Sequence, residues 1–257
     1  MQRHPDWLAP DWRMPRVVAL MTTRAGGVSA PPFDTMNLRG PPFVADDALA
    51  VAENRRRFVA TIAATPVWLE QVHGTRVVRL TGAHAAPGAP AERADAAVTT
   101  ERGIACTVLV ADCLPVLFAS RDGRVVGAAH AGWRGLSGGV LEATVGALRE
   151  ASGLAAADVV AWIGAGIGPG HFEVGADVPA AFAADEARHF RPSAPRDGVP
   201  KWHADLPAIA AARLRGLGVS EVGAAGLCTA DDASRFFSYR RDGLTGRLAA
   251  AAWITTM

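Results

Sequence analysis

The chain has 257 residues, half of them hydrophobic and one fifth charged, with 26 basic side chains against 25 acidic ones. A chain this long buries roughly three quarters of its unfolded surface, and its low net charge and ample apolar content exclude an intrinsically disordered protein. The balance of charge also argues against a nucleic-acid partner, which leaves a basic excess or a basic patch. Lys201 is the one lysine and sits in Pro200-Lys201-Trp202, so a Walker phosphate loop, which needs Gly-Lys-Ser/Thr, is excluded as well. Three cysteines, Cys106, Cys113 and Cys228, make no disulfide framework and point to a reducing compartment, hence to the cytoplasm. No run approaches the ~18 apolar residues of a membrane span, and the first residues carry no stretch of signal-peptide type.

Hydrophobic patterning predicts a mixed α/β chain without solenoid repeats. A strand is expected over Arg16 to Thr23, then a Gly- and Pro-rich loop from Ala25 to Pro42. Apolar residues at helical spacing (Leu49, Ala52, Phe58, Val59, Ile62) predict a helix from Asp46, the expected N-cap, to Ala64. Strands are expected at Val67–Glu70, Thr75–Leu80 and Ala96–Thr99, the last two split by a low-complexity loop. Three apolar runs follow: Ile104–Val110, Val116–Ser120 and Val125–Ala129. Helices are expected at Gly139–Ala151 and Asp205–Leu217, with strands at Val159–Ile163 and Leu248–Ile254. Composition shows no linker, so residues 1–257 read as a single domain.

The chemistry concentrates around one hairpin. Asp122-Gly123 between two apolar runs is a strong hairpin signal. A two-residue turn there makes paired positions sum to 245, so Pro115 faces His130 and Cys113 falls beside Gly132. Cys113 and His130 thus meet at one end of a sheet. Asp112 interrupts an apolar stretch, where a carboxylate must be paired, hydrated or functional. The residues after His130, Ala131 to Gly135, read as a loop, and His73 also lies at the end of an element. A thiolate and two imidazoles are the donor set of a catalytic zinc with an open fourth position. The same residues also suit a cysteine hydrolase, with Cys113 as nucleophile and His130 as its base. Taken singly, each is more often a buried small side chain or a hydrogen-bonded structural histidine.

The blocks Gln71-Val72-His73-Gly74, Ala111-Asp112-Cys113 and His130-Ala131-Gly132-Trp133-Arg134-Gly135 resemble the YfiH family, also called the laccase-domain or multicopper polyphenol oxidoreductase family. The similarity extends to Thr22–Ser29 with Asn37-Leu38, to Ile167-Gly168-Pro169 with Phe172–Gly175, and to Cys228-Thr229 with Arg235–Gly243 and Thr245-Gly246-Arg247. The resemblance implies an α/β (α+β), YfiH-like fold in which β-sheets pack together and are flanked by helices. It implies zinc held by His73, Cys113 and His130. It also implies phosphorolysis of adenosine, inosine, guanosine and methylthioadenosine and deamination of adenosine, with a purine nucleoside and phosphate as small-molecule partners. Relatives are further linked to polyphenol oxidation and to editing of peptidoglycan precursors.

Three more residues are candidates. Arg24 and Asn37, in a polar loop, either touch ribose, base or phosphate or tie the loop down. Asp112 is a candidate general base, a proton shuttle for water attacking C6 of the purine, or a partner to a histidine. His171 has a surface reading. Copper is the weaker alternative to zinc, since a multicopper oxidase needs several His-x-His pairs and seven histidines here include none. An amide hydrolase acting on a cell-wall precursor is the other alternative. The sequence leaves the oligomeric state open and is compatible with a monomer.

Overall fold

The computed structural model describes residues 3–40 and 45–256. The first half of the chain forms β1 (Val17–Met21), α1 (Ala48–Ile62), β2 (Thr65–Val67), β3 (Val77–Arg79), β4 (Ala96–Thr99), β5 (Ile104–Val110), β6 (Leu114–Ser120) and β7 (Val126–Ala131). The second half forms α2 (Trp133–Gly138), α3 (Val140–Ser152), β8 (Val159–Ile163), β9 (Glu173–Val174), β10 (Phe190–Arg196) and β11 (Val199–Ala204). It ends with α4 (Leu206–Gly216), β12 (Glu221–Ala224), α5 (Tyr239–Asp242) and β13 (Leu248–Ile254). The sheets run β1-β13-β5-β2, β12-β8-β6-β7-β4-β3 and β10-β11-β9. This is the expected mixed α/β architecture of several sheets flanked by helices.

Strand periodicity explains the layering, because alternate side chains of a strand leave on opposite faces. Along β13, Leu248, Ala250, Ala252 and Ile254 join the core between the two larger sheets, and Ala249, Ala251 and Trp253 face Phe58 and Ile62 of α1. Along β6, Leu117 and Ala119 enter the same inter-sheet core. Leu114, Val116 and Phe118 face the helical layer of α3 (Leu141, Val145, Leu148) and α4 (Ile209, Leu214). The order is therefore helix, sheet, sheet, helices. Strands buried on both faces read as continuous apolar runs, which is why β5, β6 and β13 were visible in sequence.

The β6–β7 register has the expected sum: Val116 pairs with Ala129 and Pro115 with His130. The turn differs from the expectation. Ser120 and Val125 close the ladder (N···O 2.9 Å), leaving a four-residue loop in which Gly123 takes φ 72°. Inside it Asp122 accepts from Ser120 Oγ and from the backbone N–H of Arg124. A four-residue loop and a two-residue one share the same midpoint, so the register survives the change.

Other boundaries are corrected by local chemistry. The N-cap of α1 is Asp47, whose carboxylate accepts from Leu49 N at 2.8 Å, while Asp46 accepts from Asn37 Nδ2 at 2.9 Å. The strand carrying His130 runs on through Ala131, and Trp133–Gly138 is helical instead of a loop. Gly139, at φ 96°, then joins α2 to α3, a backbone that side chains disfavour. The strand expected at Val67–Glu70 lies earlier, at Thr65–Val67, pairing parallel to β5. Asp205 caps α4 as expected, accepting from Ala208 N. Pro41 and Pro42 of the expected loop lie outside the described residues.

Asn54 ties that loop to α1. Fully buried, it accepts from Val28 N (2.8 Å), and its amide lies within 2.9–3.0 Å of Ser29 Oγ, Thr35 O and Asn37 O. Asn54→Ala strands these buried groups without partners and should lower stability by about 2–4 kcal/mol. Urea unfolding followed by circular dichroism checks this as a shift in midpoint at constant slope.

Candidate metal centre

The end of the β6–β7 hairpin and the turn before β3 meet at three side chains. His73, Cys113 and His130 each offer a ligand atom, and these atoms all lie within 4.8 Å of one another. Cys113 Sγ is 3.8 Å from His73 Nε2, and the two imidazole rings meet edge to face with centroids 4.8 Å apart. His130 is buried, Cys113 half-buried and His73 exposed. The cluster is thus closed behind and open in front.

Backbone constraints build this corner. Cys113 follows Asp112, which takes φ 94°, so the chain turns sharply between β5 and β6. The carboxylate of Asp112 accepts from Thr229 Oγ1 and from the backbone N–H of Arg240, both at 2.6 Å. Gly132 lies opposite Cys113, and a Cβ there would stand 2.9 Å from both Cys113 Sγ and His73 Cδ2. Only a residue without a side chain leaves room for the sulfur and the ring.

His73 sits at φ 61°. The buried carboxylate of Asp95, just before β4, organises this left-handed turn. It accepts from the backbone N–H groups of Val72, His73 and Gly74 at 2.7–3.1 Å. The same carboxylate contacts His130 Nδ1 at 2.9 Å, which assigns the proton to Nδ1 and leaves Nε2 for the centre. Sequence reasoning misses Asp95, whose one signal is an acid inside an alanine-rich strand start, the same kind of signal that marks Asp112.

Electrostatics follow from the geometry. Burial disfavours charge on both Cys113 and His130, but their mutual attraction outweighs it, together with His73 beside the thiol and Asp95 beside the ring. The Cys113 thiol comes down to about 6, and the His130 imidazolium goes up to about 9. Asp95 is burdened by burial too, yet His130 and the backbone donors hold it below the usual carboxylate range. Cys106, fully buried with no such neighbours, is pushed up instead.

The donor set suits a metal. A tetrahedral zinc with a sulfur at about 2.3 Å and imidazole nitrogens at about 2.0–2.1 Å places its sulfur and nitrogen ligands roughly 3.6 Å apart. The 3.8 Å between Cys113 and His73 meets this with a small closure. A second group, His171, Cys228 and Asp231, also brings ligand atoms within 4.8 Å of one another. There the surface pair His171–Asp231 is in direct contact, and Cys228 Sγ accepts from Gly168 N.

The open side of His73, Cys113 and His130 faces a cavity of about 890 Å³, lined also by Arg39, Arg55, Trp68, Glu70, Tyr239 and Arg247. Arg24, Asn37 and Asp112 are not among the described residues that line it. Arg24 reaches Asp34 O, Asp34 Oδ1 and Ala233 O, and packs over Phe237. Asn37 is buried and hydrogen-bonded within the fold. Asp112 serves Thr229 and Arg240, and the carboxylate on the histidine is Asp95 instead.

Residues 18–255 match the family model described as multi-copper polyphenol oxidoreductase laccase. The chain belongs to this family. A Pseudomonas aeruginosa protein named purine nucleoside phosphorylase is 46% identical over 249 residues, covering 96% of this chain and 98% of its own. Escherichia coli YfiH, also named purine nucleoside phosphorylase, is 43% identical over 250 residues, with 96% and 98% covered. Among solved structures, a Neisseria meningitidis protein of family DUF152 superposes with a TM-score of 0.87 at 40% identity, covering 97% of this chain and 99% of its own. No described helix is long and apolar enough to cross a membrane.

The lowered Cys113 thiol has a direct readout. In metal-free protein, alkylation of Cys113 by iodoacetamide should rise with pH and reach half its plateau near pH 6, well below an ordinary thiol at about 8.5. Peptide mass spectrometry at Cys113 measures it. A midpoint above pH 8 would show that the histidines do not stabilise the thiolate.

Proposed function

We propose that this protein is a zinc-dependent purine nucleoside phosphorylase, acting on adenosine, inosine, guanosine and methylthioadenosine, that also deaminates adenosine. The observation that carries this reading is the convergence of His73, Cys113 and His130 on the wall of a cavity of about 890 Å³. That volume is within the range of small-molecule sites, about 300–1,000 Å³, and the relatives' names supply the reaction class. Three free cysteines suit a reducing compartment, and we assign the protein to the cytoplasm.

In phosphorolysis a phosphate oxygen bonds to C1′ of the ribose while the C1′–N9 bond breaks. The electron pair and a proton go to the purine, giving free base and ribose 1-phosphate. In deamination water adds at C6 and ammonia leaves. Zinc bound by the three side chains would supply Lewis acidity at this wall of the cavity. The protein's own groups prepare the site. Asp95 fixes the orientation and tautomer of His130, Cys113 is held as a thiolate, and buried β6 and β7 keep the donor atoms together. Asp112 acts by positioning, tying the turn before Cys113 to Thr229 and to the start of α5, and Arg24 and Asn37 act by fixing their loop.

Zinc is favoured over a multicopper assembly by the distribution of histidines. Among the described residues His203 contacts Pro169 O and His84 contacts Thr81, and neither joins a group of possible metal ligands. The geometry also favours one second reading, a hydrolase. Asp95, His130 and Cys113 line up as orienting acid, base and thiol, the arrangement of a cysteine nucleophile.

One set of variants separates the two. His73→Ala, Cys113→Ala and His130→Ala should each lose nearly all bound zinc and nearly all turnover of adenosine with phosphate. Tm should shift by no more than about 5 °C, because the core does not depend on the metal. Metal analysis and chromatography for adenine, ribose 1-phosphate and inosine measure both effects. No product from zinc-loaded parent protein would overturn the proposal. Full zinc occupancy in Cys113→Ala with activity lost would favour the nucleophile reading.

A further inference from the structure

The segment after β8 and the segment after β12 carry the second set of donor atoms, His171, Cys228 and Asp231. None of the three is among the described residues that line the cavity. The two segments run alongside each other in register. Gly166 bridges to Cys228 in parallel, Gly168 N donates to Cys228 Sγ at 3.1 Å, and three residues further along both segments His171 Nε2 meets Asp231 Oδ1. A Cβ on Gly168 would crowd Cys228, at 3.2 Å from its Cβ and 3.3 Å from its sulfur, so a bare backbone lets the amide reach the thiol. Hydrogen bonds to main-chain oxygens hold both segments. Thr229 N donates to Gly166 O at 3.0 Å, the Arg241 guanidinium to Thr229 O at 2.9 Å, and the Arg240 guanidinium to His171 O at 3.1 Å.

We propose that His171, Cys228 and Asp231 form a second metal site, separate from the His73, Cys113 and His130 cluster, for a divalent cation of borderline softness such as zinc or cobalt. Their ligand atoms all lie within 4.8 Å of one another. A tetrahedral ion with sulfur at about 2.3 Å and nitrogen and oxygen at about 2.0–2.2 Å spaces its ligands roughly 3.3–3.7 Å apart. Side-chain movements of about 1 Å reach that spacing, the sulfur closing in while the His171–Asp231 pair opens around the ion. A thiolate and a carboxylate with a neutral imidazole also balance one divalent charge. A bare surface ion pair between His171 and Asp231 contributes little to stability and has no use for a thiol beside it. Here the thiol is brought in by a glycine and held by an amide donor, a contact compatible with a metal-bound thiolate. His171 and Asp231 are exposed and Cys228 is half-buried, so the ion exchanges with the medium, filling the site on titration and leaving it on dialysis. The same segments grip the Asp112 carboxylate: Thr229 Oγ1 donates to it, as does the backbone N–H of Arg240, whose guanidinium holds His171 O. An ion bound here clamps the segments that anchor the turn before Cys113.

Cobalt(II) is the probe, since it takes zinc-type sites and gives an ultraviolet charge-transfer band when a thiolate binds it. The titration uses full-length Cys113→Ala protein dialysed against chelator. Cys106 is fully buried in the core, which leaves Cys228 as the one thiol able to give the band. The band should saturate at one cobalt per chain, and Cys228→Ala in the same background should abolish it. His171→Ala and Asp231→Asn, both at exposed positions, should each weaken cobalt binding at least about tenfold, because loss of a residue merely supporting a ligand already costs about 10–100-fold. Circular dichroism and thermal unfolding check the fold of every variant. No band in folded Cys113→Ala protein at millimolar cobalt would overturn the site. So would a band whose midpoint stays within about twofold in both His171→Ala and Asp231→Asn, since the Cys228 thiolate would then hold cobalt without the other two.

Discussion

The carboxylate of Asp95 has no exposed surface and takes hydrogen bonds from three successive backbone N–H groups and from one imidazole. A charge buried to that depth is tolerated only when every lone pair is matched. Its four donors belong to the turn Val72–Gly74 and to β7, so meeting the needs of one carboxylate closes that turn onto that strand. His73 then occupies a left-handed backbone, and His130 presents Nε2 instead of Nδ1. Cys113 arrives from the other side through the pairing of β6 with β7, both buried on both faces, and through the turn that Asp112 ties to Thr229 and Arg240. The cluster of His73, Cys113 and His130 is what remains when these constraints are met together.

The same arrangement recurs elsewhere on the cavity lining. Asn37 does for Arg39 and Arg247, whose backbone N–H groups it accepts, what Asp95 does for His73 and His130: one buried polar side chain fixes two segments that the chain order keeps apart. Asn54 stands behind it and binds the loop to α1. The working groups are borne on turns and element ends, while the side chains that orient them are buried in the fold. Such a division lets the site stay open to substrate without loosening its geometry.

How much of this was legible in sequence depends on range. The meeting of Cys113 and His130 was readable because a hairpin register follows from a midpoint, and Asp122-Gly123 marked it even though the turn has four residues. Asp95 was not readable: its partners lie 21 to 35 residues away, and Ala94-Asp95-Ala96 looks like an ordinary strand start. Arg24 and Asn37 stood out because they are polar residues in a recognisable block, and that block fixes a loop. The β10–β11 hairpin escaped because Phe190–Arg196 contains two prolines and is mostly exposed, so no alternation announces it. Short β12, with a glycine in four residues, escaped for want of an apolar run.

The proposed function requires that His73, Cys113 and His130 share one metal ion. X-ray absorption spectroscopy at the metal edge of the purified protein tests this most directly, because sulfur and nitrogen scatterers differ in distance and phase. The expected first shell is one sulfur at about 2.3 Å with two imidazole nitrogens at about 2.0–2.1 Å and the remaining position filled by a lighter atom. A first shell of nitrogen and oxygen without sulfur would contradict it, since Cys113 would then stand outside the centre.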